Sequence, residues 1–321
     1  MSNPIDIVYL WCDSSNEEWN SLRLETAKKY NVKIKNPASS ECRYRSHDEL
    51  KYSLRSLDKY APWVRNIFIV VDDCTLLPLW LNTSHDRIRV VRMSEIIPKE
   101  FLPSFSSVTI EYHLHNIPTL SEHFLYANDD MLFFNPITPD FFFDEKGRPI
   151  VRMLNDELPF FSMDYYTKTL QKSYQLVINN HPHLTQETKL LMQHFPHHNI
   201  DAYCKSHFIR TVERYSNFLK PHFKYPFRTK EDYQRMLILW EEIAEYEAPI
   251  HLITNNTPWS DDSTVISGRL RNRGLQSLLA SRAKLICFND TQDSTENDYA
   301  WLPLALDVLF PTPSQFEVLD Y

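Results

Sequence analysis

The chain has 321 residues, 43% hydrophobic and 13% aromatic, enough apolar side chain for the core of one large domain or two small ones. A formal net charge of -8 leaves no global basic field for nucleic acid or anionic lipid, so any anionic ligand must be met by local cations. With only three glycines, G-x-G-x-x-G and Walker phosphate loops are excluded, and phosphate binding would fall to side chains, a metal or helix ends.

The N-terminal "MSNPIDIVYLW" carries no basic region ahead of its apolar stretch, so a standard secretion signal is not expected. No run approaches the roughly 18 to 20 apolar residues of a membrane span. "IDIVYLW" (5–11) and "IFIVV" (67–71) are β-branched runs that close on Asp13 and on Asp72 and Asp73. Between them, Ser46 with Glu49 three residues on predicts a capped helix whose stripe is Leu50, Leu54 and Leu57. "RIRVV" (87–91) and "HFLYA" (123–127) predict further strands, the latter running into Asn128, Asp129 and Asp130. Strands alternating with helices predict an α/β core with a mostly parallel sheet over 1–158. From there to 250 the segments read as polar helices rich in histidine, among them "TKEDYQRMLILWEEIAEYEA" (229–248), and predict an inserted helical subdomain over 159–250. "AKLICFND" then closes on Asn289 and Asp290, so that 251–321 is expected to return to the core.

Ligands of open α/β sheets sit beyond the carboxyl ends of strands. A single Asp there is more often a turn former, but four acid-bearing strand ends point to hard-oxygen ligands for Mg2+ or Mn2+. Arg45 and Arg55, near Asp48 and Glu49, read either as a salt-bridged helix face or as phosphate clamps. Glu111, His113 and His115 alternate in a way that shares no helix face, so they do not make a zinc site by themselves. The five cysteines, Cys12, Cys42, Cys74, Cys204 and Cys287, contain no C-x-x-C pair, which argues against zinc and a disulfide scaffold and for a reducing compartment. Among the histidines of 181–198, one beside a phosphorylated substrate would make a general base; spacing does not choose it.

The blocks "IDIVYLWCDSSNEEW", "RYRSHDELKYSLRSLDKYAPWVRNIFIVVDD" and "LPSFSSVTIEYHLHNIPTLSEHFLYANDDMLFFNPI" resemble the Stealth family of capsule and exopolysaccharide sugar-phosphate transferases, which is similar to the lysosomal-enzyme N-acetylglucosamine-1-phosphotransferase. A looser third block fits "HFPH" (194–197) with "RTKED" (228–232), while "NHPH" (180–183) with Arg210 competes for it; "LICFND" with "FPTPSQFE" forms a fourth. Where the family usually has Val-Asp-Gly, this chain has Cys12, Asp13 and Ser14.

The resemblance implies a glycosyltransferase-A-like fold and transfer of a sugar 1-phosphate from a nucleotide sugar, UDP-linked by expectation, to a hydroxyl of an oligosaccharide or lipid-linked glycan. The product is a phosphodiester and the leaving group a nucleoside monophosphate. On this reading Asp129, Asp130, Asn289 and Asp290 are metal ligands, with Asn128 beside them. Asp13, Arg45, Asp48, Glu49, Asp73, Glu111 and His113 line the donor site. Arg55 and Arg228 meet the diphosphate, and His194 takes the acceptor proton. A cytoplasmic protein is expected, meeting the inner face of the plasma membrane at most peripherally, with no nucleic-acid partner. Rival readings are a conventional glycosyltransferase and a non-catalytic component of a polysaccharide assembly complex.

Overall fold

The computed structural model describes residues 3–32, 46–159, 164–253, 260–267, 276, 278–289 and 300–318. The elements are, in chain order, β1 (Ile5–Leu10), α1 (Glu17–Lys29), α2 (Glu49–Tyr60), β2 (Ile67–Val71), β3 (Ile88–Arg92), α3 (Met93–Ile96) and α4 (Ser107–Glu111). Then come β4 (His123–Asn128), β5 (Met131–Phe133), β6 (Val151–Glu157), α5 (Tyr165–Asn180), α6 (Gln186–Met192), β7 (His194–Pro196) and β8 (Asp201–Cys204). The chain continues with α7 (Lys205–Arg214), α8 (Ser216–Phe223), α9 (Met236–Tyr246), β9 (Ile250–Ile253), β10 (Ser263–Ser267), β11 (Leu285–Asn289) and α10 (Leu302–Leu309).

The main sheet has five strands in the order β3-β2-β1-β4-β8. The first four are mutually parallel, and β8 runs antiparallel to β4, placing Asp201 beside Tyr126 and Cys204 beside His123. This is the expected α/β class with a mostly parallel sheet. Successive residues of β1 face opposite sides: Ile5, Ile7 and Tyr9 join one core with α2, while Val8 and Leu10 join another with α9. Both faces are therefore covered, which is why these strands read as continuous apolar runs. Asp6, buried within β1, is matched by the guanidinium of Arg65 at 2.6 and 2.8 Å.

The span 159–250 is tied into this core. It supplies β8 to the main sheet, and its α9 contributes Leu237, Ile238, Leu239 and Trp240 to the same apolar cluster as Val8 and Phe124. The helix expected over 229–248 begins only at Met236, because Thr229 and Asp232 close a capped turn before it. Nor is that helix polar in its setting: Glu241 and Glu242 are each 1% exposed. Two smaller three-stranded sheets, β10-β11-β5 and β7-β6-β9, complete the described β structure.

α2 shows how a helix can aim its two ends at different tasks. Leu50, Leu54 and Leu57 are buried as the 3.6-residue period requires. The N-cap is Asp48, not Ser46, with φ of 63°, and the Glu49 carboxylate reaches back to the His47 backbone N–H. At the far end, Arg55 donates from Nε and Nη2 to Glu317 at 2.8 and 2.7 Å, and from Nη1 to the Phe310 carbonyl at 2.8 Å. The "PSQFE" segment thereby packs onto the core, with Phe316 fully buried.

Candidate active site at the strand ends

Because β1, β2 and β4 are parallel and adjacent, the residues that follow them lie along one edge of the sheet. Their convergence shows in the Cys12 thiol, which burial pushes far up, followed by the charges of Asp129, Asp72 and Asp13. Three separate strand ends thus meet around one sulfur. Burial, and then the neighbouring Asp130 charge, push the Asp129 carboxyl up to about 8, against the backbone N–H groups of 129 and 130. Glu49 is likewise pushed up to about 8, by burial and then by Asp129. Like charges sharing a poorly solvated site cannot all ionise cheaply, so the cluster resists carrying its full negative charge. Asp130 is fastened to β11: its carbonyl accepts from Phe288 N–H at 2.9 Å, and its Oδ2 lies 3.6 Å from Cys287 Sγ. Asn289, the last residue of β11, is thereby brought to the same edge.

From Asn128 a polar chain runs into the span 197–235. The Tyr126 hydroxyl lies 2.8 Å from Asn128 Oδ1 and 3.1 Å from Glu111 Oε1. Arg235 covers the Tyr126 ring at 4.5 Å, approaches Glu111 at 3.6 Å and pairs with Asp201 at 2.8 Å. Asp201 also lies 2.8 Å from His197 Nε2. Arg235 and His197 hold the buried Asp201 carboxyl below its ordinary value even though burial itself acts to raise it. Arg228 donates to the Ser107 hydroxyl. His198 is exposed, yet the mass of surrounding protein, then Arg235, His197 and Arg228, push its imidazole below its ordinary value. It is therefore unprotonated at rest, and the cations beside it make it a weaker base than a free imidazole.

Beside the acid cluster, a cavity of about 1130 Å³ opens between α1 and the ends of β2 and β3, lined by Glu18, Trp19, Asp72, Asp73, Ser94 and Phe105 among others. Its size suits a ligand larger than a simple sugar. Asp73 is on its wall and accepts from Ser94 Oγ, whereas Asp72 is engaged by Cys74 N–H and Thr75 N–H at 2.9 and 3.0 Å.

The structure gathers Asp129, Asp130, Asn128, Glu49, Glu111, Asp13 and Asn289 near one sheet edge and sends other expected residues elsewhere. Arg55 points into the Glu317 clasp, because a buried guanidinium needs a carboxylate at once and the C-terminal segment provides it. His113 is a core histidine, 6% exposed. Its Nδ1 lies 2.7 Å from the Thr109 carbonyl oxygen, and its ring packs on Phe101 and Phe223. Asp48 is an exposed cap residue, and Asp13 braces its own turn by accepting from Ser15 N–H and Oγ. His194 lies on β7, opposite Glu157, with Nδ1 3.0 Å from the Leu154 carbonyl oxygen. Arg45 and Asp290 lie outside the described residues. Sequence reasoning passed over Tyr126, Asp201 and Arg235, and had His198 only as one of five histidines that spacing could not separate. Tyr126 lay unremarked inside the apolar run of β4, and Arg235 is announced only by its place just ahead of an apolar helix.

Residues 43–151 match the family described as Stealth protein CR2, conserved region 2. A capsular polysaccharide phosphotransferase of Neisseria meningitidis serogroup B is 36% identical over 204 residues, 62% of this chain and 51% of that protein. An exopolysaccharide phosphotransferase of Streptomyces coelicolor is 49% identical over 146 residues, 45% of this chain and 23% of that protein. The chain thus spans at most about half the length of these relatives. Among solved structures, the galactosyltransferase LgtC aligns over 96% of both chains at 13% identity, with a TM-score of 0.43. The comparisons leave the individual site residues to be assigned by their geometry.

Proposed function

We propose that this Stealth-family chain transfers a sugar 1-phosphate from a nucleotide sugar to a glycan hydroxyl, releasing a nucleoside monophosphate and leaving a phosphodiester in a surface polysaccharide. The observation that carries the reading is the convergence of Glu49, Asp129 and Asp130 at one sheet edge, where burial and mutual repulsion push the Glu49 and Asp129 carboxyls up, near a cavity large enough for a nucleotide.

The donor set is all oxygen, and the mutual repulsion that lifts the Asp129 carboxyl is what a dication would relieve, so the site fits Mg2+ or Mn2+. Asp129 and Asp130, with Asn128 and Asn289, would hold it; once bound, the ion would neutralise diphosphate charge as the leaving group departs. The protein's own groups do the rest. The cavity between α1 and the β2 and β3 ends, with Asp73 on its wall, receives the nucleoside. Arg228, held at the Ser107 hydroxyl, is the guanidinium available to the diphosphate, since Arg235 is committed to Asp201 and Glu111. Arg235 instead fixes the Tyr126–Asn128 side of the site. We assign the proton-accepting role to His198 in place of His194, because the exposed His198 follows His197 directly, next to the Asp201–Arg235 pair, whereas the His194 ring is held on β7 at the Leu154 carbonyl. As the acceptor oxygen bonds to the sugar-proximal phosphorus, His198 takes its proton, and the bond from that phosphorus to the nucleoside monophosphate oxygen breaks. Positioning and charge neutralisation account for most of such catalysis.

The test is a screen of nucleotide sugars with Mg2+ or Mn2+ and oligosaccharide acceptors. Acceptor-dependent release of a nucleoside monophosphate with a new phosphodiester phosphorus resonance supports the reading. Release of a nucleoside diphosphate without that resonance makes the protein a conventional glycosyltransferase. Metal-dependent binding without turnover makes it a binding component.

A further inference from the structure

Two consecutive glutamates of α9 enter the protein interior and meet different fates. Glu241 is neutralised: His181 Nε2 lies 2.9 Å from its Oε2, Arg214 pairs with its Oε1, and the Tyr215 hydroxyl donates to it at 2.9 Å. Glu242 is equally buried, at 1% exposure, but its Oε2 meets His207 Nδ1 at 2.8 Å, the Cys204 backbone N–H also acts on the carboxylate, and its Oε1 has no hydrogen-bond partner. An orphaned carboxylate oxygen in the interior is costly.

The third group at this spot is the Cys204 thiol. A sulfur, an imidazole nitrogen and a carboxylate oxygen of Cys204, His207 and Glu242 lie within 4.8 Å of one another. The charges reaching Cys204 are those of Glu242, Glu122 and Asp144, all negative, and with burial they drive its thiol well up. The His207 ring stacks on Tyr246 with centroids 3.5 Å apart, which fixes its orientation. Glu122 is next to the cluster, accepting from Ser206 N–H and Oγ.

We propose that Cys204, His207 and Glu242 form a structural zinc site, completed by water or by Glu122. A thiolate, an imidazole and a carboxylate are the ligands Zn2+ takes in tetrahedral sites, and they discriminate against Mg2+, which binds oxygen alone. On binding, the thiol proton leaves to solvent, His207 ligates through one ring nitrogen and keeps its proton on the other, and the orphaned oxygen gains a partner. The absence of a C-x-x-C pair does not exclude zinc here, because the ligands are a C-x-x-H pair at the β8–α7 junction and one residue of α9.

Position gives the site its purpose. Because β8 is antiparallel to β4, Asp201 is at the end that carries the acid cluster and Cys204 at the opposite end. α9 runs beside it, with Arg235, its N-cap, on Asp201 and Glu242, about two turns on, at Cys204. Zinc would clamp the far end of a strand and helix already riveted at the near end.

The chain is purified without chelator in the Asp130→Asn background, so that a cation at the acid cluster cannot confuse the count, and its zinc is measured along with Co2+ binding. One tightly held Zn2+ per chain, and a thiolate-to-cobalt charge-transfer band, are expected. Cys204→Ser should abolish the band. His207→Gln, at a side chain 21% exposed and so tolerant of change, should weaken Zn2+ binding at least about 100-fold, since even changes behind the ligands cost 10- to 100-fold. If Cys204→Ser does not fold, His207→Gln decides alone. Undiminished zinc in a folded His207→Gln protein, or no zinc and no cobalt band in the parent, overturns the proposal.

Discussion

The acids at the strand ends are only partly buried for the most part, those of α9 and β8 almost wholly so, and the two sets are differently neutralised. Asp201 and Glu241 are matched by Arg235 and Arg214, and they lock elements together. Asp129 presses on Glu49 and Asp130 on Asp129, and with burial this pushes the Glu49 and Asp129 carboxyls above their ordinary values. The contrast separates scaffold from site: a buried carboxylate with its own arginine is finished structure, whereas a cluster of carboxylates that repel one another is poised to receive positive charge.

The strongest way to break that comparison is to remove the repulsion. Asp129→Asn with Asp130→Asn should lower turnover by about 10³-fold or more while leaving the melting temperature equal or higher, as read from turnover and calorimetry on the same sample; a large fall in stability would make these residues scaffold. The scaffold side answers next. Arg55→Ala strands Glu317 and should cost about 3 kcal/mol in denaturant unfolding, with turnover per folded molecule unchanged; a loss of turnover alone would return Arg55 to the site. His198→Ala should lower turnover by about 100-fold, and His194→Ala should leave it within a few-fold; the opposite ranking moves the proton acceptor to β7.

The smallest effect is on pH dependence. Glu49 and Asp129 bind protons in the fold up to about 8, from ordinary values of 4.5 and 3.8, so the native state holds more protons than the unfolded state between those limits. Their contribution to stability is fully present below about 4 and is lost as pH rises toward 8. Melting curves without divalent cation should therefore fall with pH more steeply in the parent than in Asp129→Asn, and Mn2+ should flatten the parent's slope. Equal slopes would mean the two groups titrate normally.

What could be read in the sequence follows from how far apart the interacting residues are. β1, β2, β3, β4 and β11 are apolar runs whose identity is local, and the NDD cluster follows one of them directly. Arg55 could not be assigned so, since its partner is Glu317, 262 residues away, and nothing near Arg55 separates a buried clasp from a phosphate clamp. α9 looked polar because its glutamates count as solvent-facing in any local window, yet His181, Arg214, Tyr215 and His207 come from distant parts of the chain to meet them. His198 was one of five histidines in a short span, and only the fold shows which shares the field of Arg228 and Arg235.

The Arg55–Glu317 clasp also constrains how this protein can be recombined. The two halves of one ion pair stand at opposite ends of the described chain, so a single crossover anywhere between them would join Arg55 to a foreign partner. Chimaeras with relatives should fold when positions 55 and 317 travel from the same parent, and variation at one should be inherited with variation at the other.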